Sequence, residues 1–160
     1  MQLQERMCLM ITRNPRGLLS VGYQGRTLNE LLSQLVAEEV ETLVDVRLTP
    51  ISRKPGMSRA GLSAALHSAD ITYLHFPVLG NPRDNREPFR RGDIAQGSQI
   101  FREVLRNEEP AAALAEIVSL SRQHLVALLC YERQAARCHR QVIIDEVVRC
   151  CIDLPVRHLD

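Results

Sequence analysis

From Cys130 to Arg140 the chain reads Cys130-Tyr131-Glu132-Arg133-Gln134-Ala135-Ala136-Arg137-Cys138-His139-Arg140, which gathers two thiols, a carboxylate, an imidazole and three guanidinium groups. A cysteine beside Arg133 and Arg137 and close to a helix N-terminus has its thiolate favoured, the form a sulfur nucleophile needs. Glu132 and the distant Asp45, each at the end of a strand, can serve as a carboxylate pair for acid-base work or as a nucleophile at an N-glycosidic bond. His139, in a first helical turn, would be held neutral by the helix dipole, which suits a proton carrier. Arg140 suits an anion or a carboxylate. Two structural uses compete with these: a strand-end cysteine often only packs, and Asp45 can simply hold Arg47, Arg140 or a loop amide.

Cys130, Cys138 and His139 are also zinc-ligand types. The paired Cys-x2-Cys knuckle is absent, however, and neighbouring side chains on a helix diverge by about 100°. No cofactor is expected on this reading, and these three are the ligands if a metal is found. The Cys-x5-Arg phosphatase pattern fails as well, because Arg137 lies one residue too far along.

These groups need a scaffold that turns strand ends toward one place. Leu18 to Val21 reads as a short strand closed by Gly22-Tyr23-Gln24-Gly25, and Thr27-Leu28-Asn29-Glu30 is a capping box opening a helix. Leu28, Leu31, Leu32, Leu35 and Val36 give that helix one apolar stripe. Thr42 to Val46 predicts a buried strand, and a loop over residues 49–57 leads to a helix capped by Ser58 and buried through Leu62, Ala65, Leu66 and Ala69. Ile71 to Phe76 predicts a third strand near the sheet margin. Residues 77–97 read as one long irregular segment, a lid or ligand-binding loop. Helices follow over residues 100–106 and 110–121, then a strand at Leu125 to Leu129, a helix opening at Arg137 or Cys138, and a last strand at Val156 to Leu159. The alternation predicts a Rossmann-like α/β fold: an open, mainly parallel sheet of about five strands with helices on both faces.

With 160 residues, 45% of them hydrophobic and 4% aromatic, the chain suits one aliphatic core, a single domain over 18–160 behind a short arm over 1–17. The arm carries an apolar run, Met7 to Ile11, followed by Arg13-Asn14-Pro15-Arg16-Gly17. Cys8, Cys130, Cys138, Cys150 and Cys151 are an odd, irregular set, no secretory pattern precedes them and no membrane-length apolar stretch occurs; a cytoplasmic protein with no membrane partner is expected. A net charge of +1 argues against a generally basic nucleic-acid binder. Yet Arg26, Arg47, Arg53, Lys54, Arg83, Arg86, Arg90, Arg91, Arg133, Arg137 and Arg140 all fall in or beside segments that follow strands, so one edge should be positive.

Four segments together resemble a known family: Val-Gly-Tyr-Gln-Gly-Arg-Thr-Leu (21–28), Leu-Val-Asp-Val-Arg-Leu-Thr-Pro-Ile-Ser-Arg-Lys-Pro-Gly-Met-Ser (43–58), Leu-Gly-Asn-Pro (79–82) and the run from Cys-Tyr-Glu to Cys-His-Arg (130–140). The chain resembles the bacterial and archaeal domain of unknown function 488 from about Leu18 to Leu159. The resemblance implies a Rossmann-like fold with an unassigned active site. Gln24 stands where members often carry glutamate or serine, so the resemblance lends no catalytic role to that position.

In a doubly wound sheet the first and fourth strands can be neighbours, which would set the Gly22–Gly25 turn beside Cys130 and Glu132. Helix N-termini near Thr27 and Cys138 would then offer amides to a phosphate. The Gly22–Gly25 turn completes neither a dinucleotide nor a P-loop fingerprint, which argues against a nicotinamide cofactor. The expected site therefore has Cys130, Glu132, Asp45 and His139 as catalytic candidates, and Gly22, Tyr23, Gly25, Arg47, Arg53, Asn81, Arg137 and Arg140 as substrate-binding candidates. The expected partner is an anionic small molecule, a nucleotide or a nucleic acid. An enzyme of unassigned reaction is the first reading; a non-catalytic nucleic-acid-binding module and a rhodanese-like sulfurtransferase are the alternatives.

Overall fold

The computed structural model describes residues 15–159. Cys8, the Met7–Ile11 run and the rest of the expected arm before Pro15 lie outside the described residues. Five strands form one sheet, β1 (Gly17–Gly22), β2 (Thr42–Asp45), β3 (Thr72–His75), β4 (Leu125–Cys130) and β5 (Val156–Leu159), in the order β3-β2-β4-β1-β5. Every pairing is parallel. The central strands β1 and β4 are buried along their whole length, as near-continuous apolar runs covered on both faces require. The outer strands β3 and β5 are shorter and partly exposed. β1 and β4 are neighbours, as expected, with Gly22 opposite Cys130.

The pleat divides the core into two. Leu19, Val21, Leu43, Ala127 and Leu129 point to the face covered by α1 (Leu28–Ala37) and α2 (Arg59–Ser68). Leu18, Val44, Val126 and Leu128 point to the face covered by α4 (Ile94–Leu105), α5 (Glu108–Gln123) and α6 (His139–Cys150). Chains leaving β1 and β2 thus go to one face and the chain leaving β4, which lies between them, goes to the other. That divergence opens a crevice beyond the carboxyl ends of the strands.

Local signals placed the helix starts well. The Thr27 amide donates to Glu30 Oε2 at 2.6 Å and the Glu30 amide donates to Thr27 Oγ1 at 3.2 Å, a complete capping box; Ser58 caps α2 through the Gly61 amide. The expected irregular segment over 77–97 is a finding in the other direction. It folds into single turns at Pro77–Leu79 and Arg83–Asn85, a short helix α3 (Arg86–Arg90), and the first turn of α4, which begins at Ile94 rather than at residue 100. Pro88 reads as a breaker in sequence, but it falls in the first turn of α3, where its missing N–H has no partner to lose. Asp93 caps α4 by accepting from the Gln96 amide. A buried asparagine clasp holds the segment down: Asn85 Nδ2 donates to Asn81 Oδ1 and to the Gly97 carbonyl, both at 2.9 Å, and Asn81 Nδ2 donates to the Asn85 carbonyl.

Candidate active site

The crevice is a cavity of about 850 Å³, and its lining draws on the loops after β1, β2 and β4 and on the segment that carries α3. Gly22 lets two of these loops meet. A Cβ there would sit 1.9 Å from the Glu132 carbonyl oxygen, so only glycine allows the loop after β4 to lie directly on the end of β1. The pairing then continues past the strands: the Gln24 amide donates to the Tyr131 carbonyl at 2.9 Å, and Gln24 Oε1 accepts from the Arg133 amide. Arg140 completes the staple from α6. Its Nε donates to Ser20 Oγ at 2.7 Å, and its Nη1 and Nη2 donate to the carbonyls of Glu132 and Arg133. Ser20, the one polar side chain of β1, is explained by this contact.

On the cavity floor Cys130 Sγ lies 3.4 Å from Glu132 Oε2 and 3.9 Å from His139 Nδ1. Cys138 Sγ lies 3.6 Å from the same Nδ1 and accepts from the Arg140 amide. The ring of His139 is fixed by a hydrogen bond from Nε2 to the Val46 carbonyl at 3.2 Å and by an edge contact with Phe101. A carbonyl can only accept, so Nε2 carries the proton and Nδ1 is the nitrogen presented to the sulfurs. The expected divergence of Cys138 and His139 does not occur, because Cys138 is the extended N-cap residue (φ −133°, ψ 147°) and not part of α6.

Electrostatics separate the two thiols. The neighbouring Cys138 thiol, with positive charge from His139 and Arg140, holds Cys130 well below the ordinary cysteine value despite its burial. Burial and the Cys130 charge push Cys138 well above it. For His139 burial is the largest influence and would lower the value, but the Cys130 sulfur, the Val46 carbonyl and the Glu132 carboxylate together turn the net direction up. The nearby Cys130 charge thus acts on the imidazole against the helix dipole. Burial, followed by the Cys130 charge, also raises Glu132 above the usual carboxylate range.

Of the expected residues, Cys130, Glu132 and His139 line the cavity with Tyr23, Gly25, Arg47, Asn81 and Arg137. Four do not. Asp45 is fully buried, bonded through both oxygens to Arg47 (2.8 and 2.6 Å) and to the Tyr73 hydroxyl (2.7 Å), so the structure pairs it with a cation and not with Glu132. Arg140 is fully buried behind the floor, Gly22 lies beneath the loop, and Arg53 is exposed outside the lining. The helix end at Thr27 is closed by its own Glu30 and does not face the cavity either. Positive charge comes from side chains instead. Arg86, Arg90, Arg133 and Arg137 line the cavity and make no ion pair among the described residues, while Glu132 is the carboxylate of the lining.

Sequence reading missed Phe89, Tyr131 and Ile51 as lining residues. Tyr131 is half exposed and stands edge-on to Tyr23 at 5.3 Å, and Ile51 is exposed. The usable signal was there: Arg86 and Arg90 had been placed on the positive edge, and Phe89 lies between them.

The sequence model of the family described as "Domain of unknown function DUF488" matches residues 27–147. No curated protein and no solved structure matches the chain. The family match takes in the 43–58, 79–82 and 130–140 segments and begins after Arg26, so the turn over Gly22 to Gly25 lies before it.

Proposed function

This chain belongs to the DUF488 family of domains of unknown function, and within it we propose an enzyme that draws a phosphorylated substrate, a nucleotide or a nucleic-acid phosphate, into the carboxyl-edge cavity and acts on it at the Cys130–Glu132 floor. One observation carries the reading: the Cys130 sulfur has both the Glu132 carboxyl and the His139 imidazole within reach at the bottom of a cavity that also receives four arginines without ion partners among the described residues. Arginine forks match phosphate oxygens. An exposed aromatic face such as that of Tyr131 offers a base a surface to stack on.

Binding and turnover should separate in variants. Nucleotide affinity, measured by titration calorimetry at low and moderate salt, should fall with salt and should drop by roughly 10-fold or more in Arg133→Ala/Arg137→Ala, since a charge-assisted contact contributes about 1.5–3 kcal/mol. Cys130→Ser and Glu132→Gln should keep that affinity and lose turnover. A steep salt dependence for DNA or RNA with no turnover in the unaltered protein favours the non-catalytic nucleic-acid-binding module, which would use the same arginines. Rhodanese-like sulfur transfer is supported by Cys130 ending β4 and opening a loop into α6, but its Sγ meets side chains of Glu132 and His139 rather than a ring of amides. A sulfur donor should leave Cys130 without a persulfide by mass spectrometry; a persulfide that passes to cyanide would replace the first reading with this one.

A further inference from the structure

On the cavity floor the imidazole nitrogen stands at coordination-shell distance from both cysteine sulfurs. Cys130 Sγ, Cys138 Sγ and His139 Nδ1 all lie within 4.8 Å of one another, and the three residues are buried. Zinc holds thiolate sulfur at about 2.3 Å and imidazole nitrogen at about 2.0–2.1 Å in a tetrahedron, which places sulfur and nitrogen ligands about 3.6 Å apart. The two sulfur-to-nitrogen distances here are 3.6 and 3.9 Å. The two sulfurs, within 4.8 Å of each other, would close toward about 3.8 Å around such an ion, a side-chain movement of up to about 1 Å.

We propose that Cys130, Cys138 and His139 bind a zinc ion whose fourth coordination position opens into the cavity. The surroundings supply what such a shell requires. Nε2 of His139 is engaged by the Val46 carbonyl, which fixes the ring and leaves Nδ1 directed at the sulfurs. A backbone amide, that of Arg140, points at Cys138 Sγ, a usual partner for a metal-bound thiolate.

Three protein donors and an open fourth side distinguish a catalytic site from a structural one, which is closed by four. All three ligand residues line the cavity, and Glu132 stands outside the cluster, with Oε2 at 3.4 Å from Cys130 Sγ. There it can take a proton from a zinc-bound water. The water oxygen then bonds to the electrophilic atom of the substrate, the bond to the leaving group breaks, and Glu132 returns the proton to that group. This assigns hydrolysis to the site, and only this catalytic part rests on the reading of the cavity as a substrate site. With Cys130 as a ligand, persulfide chemistry is excluded.

The test is metal analysis of the full chain purified without chelator, with cobalt replacement as a second reading. One zinc per chain is expected, with visible absorption and sulfur-to-cobalt charge transfer in the cobalt form typical of a tetrahedral thiolate site. Cys138→Ser should lower zinc content at least 10-fold, whereas Cys150→Ser/Cys151→Ser, remote from the cavity lining, should leave it unchanged. If Cys138→Ser fails to fold, the cobalt spectrum of the unaltered protein decides. A folded protein that takes up neither zinc nor cobalt overturns the proposal, as does metal that is lost with Cys150 and Cys151. Nucleotide titration of the metal-stripped protein keeps the two readings apart: arginine-dependent binding without metal uptake removes the zinc and spares the substrate cavity, and metal uptake without anion binding does the reverse.

Discussion

Arg47 and Arg140 are both arginines buried at the carboxyl edge of the sheet, 6% and 0% exposed, and they solve the same electrostatic problem in opposite ways. Arg47 carries its counterion beside it. Asp45 accepts from its Nε and Nη2, Met57 and Tyr23 take the remaining side of the fork, and the unit is electrically closed. Arg140 has only the Ser20 hydroxyl and two backbone carbonyls, all neutral. An isolated charge in a protein interior is too costly to stand alone, and the charge that Arg140 acts on is that of the floor thiols, whose ionised form it favours. A buried cation with its anion in place is architecture. One without it marks where the chemistry is.

The sharpest way to break that contrast is to open the closed pair. Arg47→Met leaves Asp45 buried and unpaired and should cost about 3–5 kcal/mol in urea unfolding, whereas Asp45→Leu/Arg47→Met should recover most of the loss. A double variant no more stable than the single one would show that Arg47 does more than neutralise Asp45. Next in size, Ser20→Ala takes away one neutral acceptor of Arg140 and should cost about 1–3 kcal/mol by orphaning a buried donor; trypsin should also cut faster at Arg133 as the loop loosens, and unchanged cleavage would deny the staple its part. Cys138→Ala removes the cap of α6 for about 1 kcal/mol, a small stability effect, yet it should abolish the metal signature. Smallest of all, Arg137→Ala should change stability by less than about 0.5 kcal/mol while weakening nucleotide binding, the mark of a cation held for a ligand rather than for the fold.

Nearest-neighbour signals were readable before any coordinates. The Thr27 and Ser58 caps, the apolar runs of β1 and β4 and the strand-to-helix break at Cys130 depend on residues within a few positions of each other, and they gave the fold and put the expected site at the edge where the cavity lies. Reading failed where distant residues decide. The start of α4 was set too late because Gly97 looked like a loop residue, when it lies close under Phe89 and offers its carbonyl to Asn85. The Asp45–Arg47 pair was foreseen as a possibility, but nothing in the spacing says that its carboxylate is consumed by that arginine and by Tyr73 from the neighbouring strand.

By itself, the order of residues determined the parallel layering, the arginine-rich edge and the chemistry-bearing run from Cys130 to Arg140, since periodicity and capping are short-range and survive translation into structure. Tertiary structure alone decided that Cys138 stays extended and turns its sulfur onto His139, that Arg140 goes inside without an anion, and that Phe89 and Tyr131 reach the cavity. Those outcomes are set by which strand lies beside which, a long-range choice that places groups from β1, β2, β4 and the 77–97 segment around one cavity and that no local window of sequence contains.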